Sequence, residues 1–293
     1  MIIMGWKTQV LADWDQAGIA DTDTGKTVKL PQALIGNIQI VLQGTGGSGT
    51  IALDTDPTMI TRVKVKSDKG YVYDATGTQI RAIARKLLGT IPTITNGTGA
   101  HSLLEIPLYF GRKRRDRRLM LPLQNSTVRT MEVSFGTLIA TTAFATGTVK
   151  MSVVIEYWVG ALPSGYRGFI GWKEVEDKAT GTGKAVFELF QGEKVAGLLI
   201  EVVTITTVRQ VTLTDKKESF VWGKINWRDL MNRDNTENDK ETPETTWAVW
   251  DFWDDEDDLP DVPDLSKVAE PVLTIERGAT TTVSGVIQGI LFD

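Results

Sequence analysis

Apolar and polar positions alternate along most of this chain with a period of two, the signature of strands buried on one face. Ile38-Gln-Ile-Val-Leu42 is rich in β-branched residues and is closed by the glycine cluster that runs from Gly44 to Gly49. Between Ile60 and Lys66, Val63 and Val65 alternate with Arg62, Lys64 and Lys66, which predicts a half-buried strand with Tyr71-Val-Tyr73 as its hairpin partner. The period then changes. Ile80, Ile83, Leu87 and Leu88 form one helical stripe ahead of Gly89, so the spacing predicts a helix over 77–88. Strands return at 103–110, 128–135 and 149–158, and Pro107 puts the first of them at a sheet edge. Further strands are predicted at 184–190, 198–205, 208–214, 219–222, 271–275 and 283–292, with a short helix near Trp227.

The pattern also repeats. Arg62 is matched by Arg209, 147 residues on (209 − 62), and Asp68 with Asp215 and Arg81 with Arg228 keep the same offset. In each copy a β-rich run reaches an Asp-Lys turn and then a short helical stretch. A period of this length is a whole domain, since solenoid units run to roughly 20–50 residues. The expected organisation is an N-terminal arm over 1–30, a first β-domain over 31–160, a linker over 161–170 and a second β-domain over 171–293. The second carries an acidic, Trp-rich insertion at 232–268. Many strands and one short helix per half predict an all-β class with two tandem sandwiches or barrels.

Composition narrows the chemistry. The 293 residues include no cysteine and one histidine, His101, in a turn-like Gly-Thr-Gly-Ala-His setting. Disulfides, thiolate catalysis and Cys-ligated metals are excluded, and a catalytic triad or His-based zinc site would have to run through His101 alone. The expectation is a loop histidine in a protein that is not an enzyme. A net charge of −5 argues against wholesale coating of nucleic acid and against specific nucleic-acid recognition. No apolar run approaches the roughly 20 residues a membrane helix needs.

Gly44-Thr-Gly46-Gly-Ser-Gly49 fits a dinucleotide fingerprint but is followed by no helix, and is read as a flexible turn. Gly181-Thr-Gly183-Lys184 is read as a hairpin turn, not a phosphate loop. Two charged segments stand out. Arg112, Lys113, Arg114, Arg115, Arg117 and Arg118 form a dense basic run, with three readings open: salt bridges between subunits, solvated surface, or contact with lipid or nucleic-acid phosphate. Opposite in sign, Trp247, Trp250 and Trp253 lead into Asp254, Asp255, Asp257 and Asp258. The tryptophans are candidate packing or interface anchors. The aspartates crowd hard oxygen ligands of the kind calcium takes, without EF-hand spacing, and a solvated loop is the competing reading. No other cofactor is expected.

The segment from Ile60 to Lys66, the helix after it and Leu104-Glu-Ile-Pro-Leu-Tyr-Phe-Gly-Arg112 resemble the first barrel of double jelly-roll major capsid proteins. Leu121-Pro-Leu followed by 128–135 is similar to the same family. So, in the second half, is Lys224-Ile-Asn-Trp-Arg-Asp-Leu-Met231, where corticovirus-type coat proteins carry a Trp-Arg-Asp-Leu helix. The resemblance spans roughly 35–293. It implies a major capsid protein of a tailless icosahedral virus, a bacteriophage with an internal membrane, assembled in the host cytoplasm. The chain would form homotrimeric, pseudo-hexagonal capsomers with penton and minor capsid proteins as further partners. No calcium ligand of the family carries over residue by residue. Two other readings stay open: a carbohydrate-binding or glycoside-active tandem sandwich, with Trp247, Trp250 and Trp253 lining a groove, and a phage fibre or spike protein.

Overall fold

The computed structural model describes residues 5–14, 24–45, 59–88, 101–136, 149–175, 179–203, 205–217, 221–230, 247–252 and 262–292. The chain divides into two compact units, residues 1–170 and 171–292.

In the first unit the strands are β1 (Gly5–Trp14), β2 (Gly25–Lys29), β3 (Leu34–Thr45), β4 (Ile60–Ser67) and β5 (Gly70–Ala75). Helix α1 (Gly77–Leu88) follows, then β6 (His101–Tyr109), a two-residue β7 (Leu121–Pro122), β8 (Thr130–Phe135) and β9 (Lys150–Val159). One sheet has the order β1-β9-β3-β6, with β7 beside β3; the other runs β2-β8-β4-β5. The core lies where the inward positions of both sheets meet. Ile38, Ile40 and Leu42 of β3, Met151, Val153 and Ile155 of β9, and Val63 and Val65 of β4 are buried. Their partners on the outward positions are partly exposed, as one-sided burial of an antiparallel sheet requires. Helix α1 starts on a reciprocal cap: Gln79 N–H donates to the Thr76 hydroxyl and Thr76 N–H donates to Gln79 Oε1. Ile80 and Ile83 of its stripe are buried.

In the second unit β10 (Phe169–Val175) enters from the first unit, followed by β11 (Ala179–Glu188), β12 (Lys194–Val202), β13 (Val208–Asp215), β14 (Val221–Asn226), β15 (Trp247–Asp251) and a 22-residue β16 (Pro271–Phe292). Strand β16 serves both sheets. Its first arm, residues 271–277, lies between β11 and β13, with β14 beyond β13. Its second arm, residues 283–291, lies beside β12, with β15 beyond, and β10 also pairs with β16. The orders are therefore β10-β16-β12-β15 and β11-β16-β13-β14. Position for position these match the first unit, strand by strand in chain order. Each unit is a jelly roll, and the duplication is a duplication of topology.

The structure corrects four sequence expectations. Residues 1–30 were expected to form an arm, yet β1 pairs with β9 from Gly5 to Trp14 and β2 pairs with β8 from Gly25 to Lys29. They supply the first two strands of the first barrel. A bulge between Val10 and Ala12 breaks the period-two pattern and hides β1. The stretch 232–268 is not wholly an insertion, because Trp247–Asp251 is a sheet strand. Gly181-Thr-Gly183 is a bulge within β11 rather than a hairpin turn, with both glycines at positive φ. Between its two arms, at residues 278–281, strand β16 bends from one sheet toward the other. His101, expected in a loop, opens β6 opposite Thr45. Pro107 does sit in an edge strand, since among the described residues β6 pairs with β3 and no other strand.

Candidate assembly surface

Strand β9 alternates Met151, Val153 and Ile155 into the core, which turns Glu156 and Trp158 to the outer face of their sheet. The basic run closes over that face. Arg114 makes a two-pronged contact with Glu156, Nε to Oε2 at 2.8 Å and Nη2 to Oε1 at 2.7 Å. Arg115 adds Nη2 to Oε1 at 2.9 Å from a left-handed backbone, φ 60°. The Glu156 side chain is only 3% exposed, whereas the two arginines are 64% and 48% exposed. Burial alone would raise the Glu156 carboxyl; the Arg114 guanidinium, and then Arg115, outweigh it and hold it below the usual carboxylate range.

Asp116 braces the same loop from inside. It is buried, and its carboxylate accepts from the N–H groups of Arg112 and Arg118. No room exists for a side chain at Gly111, where a Cβ would lie 2.7 Å from Asp116. The Arg117 guanidinium stacks 5.0 Å from the centre of the Trp158 ring, and Trp6 meets that ring edge-on at 5.9 Å. A second loop joins in. Trp158 Nε1 donates to Ala161 O, Arg167 N–H to Arg118 O, and the Tyr166 hydroxyl to Met120 O. Burial pushes the Tyr166 phenol up to about 12. Loops 111–120 and 160–168 are thus one braced platform. Sequence reasoning found its cations but not their carboxylate partner, 42 residues from Arg114.

No family model matches the sequence, and no curated protein does so significantly. Solved structures do. The structure of Sulfolobus turreted icosahedral virus is similar with a TM-score of 0.67 at 12% identity, over 98% of this chain and 90% of that one. The major capsid protein P2 of bacteriophage PM2 gives a TM-score of 0.64 at 13% identity, over 99% of this chain and 98% of that one. The PBCV-1 virus capsid model gives 0.66 at 10% identity, over 99% and 95%. The fold is the double jelly roll.

Of the two roles expected for the tryptophans, packing or interface, Trp247 and Trp250 take packing. Trp247 and Trp250 are buried in the second barrel, Trp250 within its core cluster and against Phe252 at 5.0 Å. Gly223 stays bare because a Cβ would come within 2.6 Å of the Trp250 ring. Neither tryptophan lines a groove or stands on a surface for a partner; sheet packing takes both. Trp253 and the candidate calcium ligands Asp254, Asp255, Asp257 and Asp258 lie outside the described residues. Among the described residues no group of three metal-ligating side chains comes together.

The repeated aspartates hold equivalent positions. Asp68, after β4, accepts from Val128 N–H at 2.8 Å and from Thr127 N–H and hydroxyl, both at 3.0 Å, where the chain approaches β8. Asp215 ends β13 opposite Pro271, where the chain begins β16. The Val128 and Thr127 amides hold the Asp68 carboxyl down at about 2. A sequence signal for this clamp existed in the offset of the two residues; its meaning did not.

Proposed function

We propose that this chain is a major capsid protein, the repeating building block of an icosahedral virion. The observation that carries the reading is architectural. One chain holds two jelly rolls of identical strand order, and coat proteins of three icosahedral viruses match it across nearly its whole length. Two similar barrels per chain let three chains present six similar corners, which suits hexagonal tiling. A three-fold ring needs head-to-tail contacts that close by rotation, each burying well over about 1,000 Å². Penton and minor capsid proteins would occupy the vertices and seams, and an internal membrane would lie beneath the shell. The charged platform and the sheet faces have structural chemistry, and the reading assigns the chain no catalytic step.

Light scattering on the purified protein should give about three times the chain mass of 32.2 kDa. Electron microscopy at high protein concentration should show hexagonal sheets or particles. A monodisperse monomer that forms no lattice under any condition would refute the proposal.

A further inference from the structure

The platform of the first barrel concentrates positive charge on its surface. Six of the seven residues 112–118 are basic, and Arg114, Arg115 and Arg118 pair with Glu156 and Asp116. Arg114 and Arg115 stay largely exposed while paired, and Lys113 and Arg117 are exposed as well. This local density stands out in a chain whose net charge is −5. Loop 160–168, tied to this run through Trp158, Arg118 and Met120, presents Leu162 at 55% exposure, next to Pro163. Trp6 and Tyr166 are half-buried beside them. Exposed cations, one protruding aliphatic side chain and amphipathic rings at the boundary form the combination that anionic lipid headgroups attract.

We infer that the paired loops 111–118 and 160–168 form a docking surface for an anionic lipid bilayer. Headgroup phosphates meet the exposed cations, and Leu162 enters the headgroup–acyl boundary. The internal bracing matters, because Asp116, Glu156 and the Trp158 stack fix the cations before binding, so less side-chain freedom is lost on contact. A nucleic acid fits the same charge less well. Single strands need an open ring on which to stack bases, and Trp158, the central ring here, is buried with Arg117 over its face and Trp6 at its edge. Leu162 has no role on a phosphate backbone.

The inference deepens the membrane part of the capsid reading, and its test is separate from assembly. The purified full chain is co-sedimented with phosphatidylcholine vesicles, with or without about 30% phosphatidylglycerol. Binding is expected only with the anionic lipid and should be lost near 1 M salt, where screening acts over about 3 Å. Lys113→Glu changes the local charge by two and should weaken binding about 25-fold, at about fivefold per charge. Leu162→Ser should weaken binding while keeping the salt dependence. Both sites are exposed, and an unchanged melting temperature checks that each variant folds. Equal binding to neutral vesicles, no binding, or displacement by double-stranded DNA at matched phosphate would each overturn the inference. If hexagonal lattices form while vesicles are ignored, the lipid surface fails and the capsid reading stands; if vesicles bind and no oligomer forms, the reverse holds.

Discussion

The two barrels share a strand order and differ in how they manage buried charge. In the first, the last two strands are separate, β8 ending at Phe135 and β9 beginning at Lys150. Its outer face buries an anion, Glu156, and recruits arginines from a loop to neutralise it. In the second, the same two strands are one, β16, and a cation, Arg277, is buried at the bend. The Arg277 guanidinium donates to four backbone carbonyls, those of Ala179, Thr182, Gly183 and Thr281. These belong to the bulge of β11 and the bend of β16, where ladder bonding is interrupted. One barrel thus meets a desolvation problem with a salt bridge between side chains, the other with a side chain that replaces missing backbone donors. Topology is the common inheritance, and each sequence solves its own corner.

Breaking the second solution should cost most. Arg277→Met leaves several carbonyls without donors around a buried corner, and about 4 kcal/mol of stability should be lost in denaturant unfolding. Charge alone does not rescue it: Arg277→Lys recovers little, because one ammonium cannot span four carbonyls. The first barrel should be less sensitive. Arg114→Ala with Arg115→Ala strands the Glu156 carboxylate and should cost about 3 kcal/mol. Glu156→Gln in that background should restore part of the loss, since the buried charge disappears. Equal losses for Arg277→Met and for either single arginine variant would erase the contrast.

A smaller effect separates the barrels at their first strands. Each places a tryptophan from its first strand against glycine in another strand of the same sheet: Trp6 of β1 over Gly36 of β3, and Trp172 of β10 over Gly289 of β16. An added Cβ would lie 2.5 Å from the first ring and 2.6 Å from the second. Trp172 is buried and cannot retreat, whereas Trp6 is half-buried on an edge strand. Gly289→Ala should therefore cost about 2 kcal/mol and Gly36→Ala about 1 kcal/mol, measured as separate unfolding transitions if the barrels melt independently.

What the sequence discloses follows the same division. Strands with one wet face, such as β4 and β9, alternate and are visible. So is α1, whose Thr76 and Gln79 cap and buried stripe agree with one another. Strand β1 is concealed because it is a mostly exposed edge strand with a bulge at Leu11, so no face repeats. Strand β15 is concealed because its five residues sit in an acidic stretch and include Trp247 and Trp250, whose packing and interface readings only the sheet separates. The basic run is plain in the sequence, but its meaning depends on Glu156, and only the folded sheet brings the two together. Repetition carries the most information, because an offset between matched aspartates survives where identity has faded.

The aspartates also give the mildest test of the comparison, one that needs pH rather than denaturant. The folded Asp68 carboxyl titrates at about 2, against 3.8 without its partners, because the Val128 and Thr127 amides donate to the charged form. A depressed folded value means that the ionised clamp stabilises above pH 3.8 and that the contribution fades as pH falls toward 2. Asp68→Asn removes the titrating group while keeping an acceptor. The variant should melt slightly lower than the parent at pH 7, and the gap should narrow between pH 4 and 2. Asp215, buried at the matching site of the second barrel, is the comparison residue. If the gap between parent and Asp68→Asn stays constant through that window, the Val128 and Thr127 contacts do not set the charge state of Asp68, and the clamp is packing rather than electrostatics.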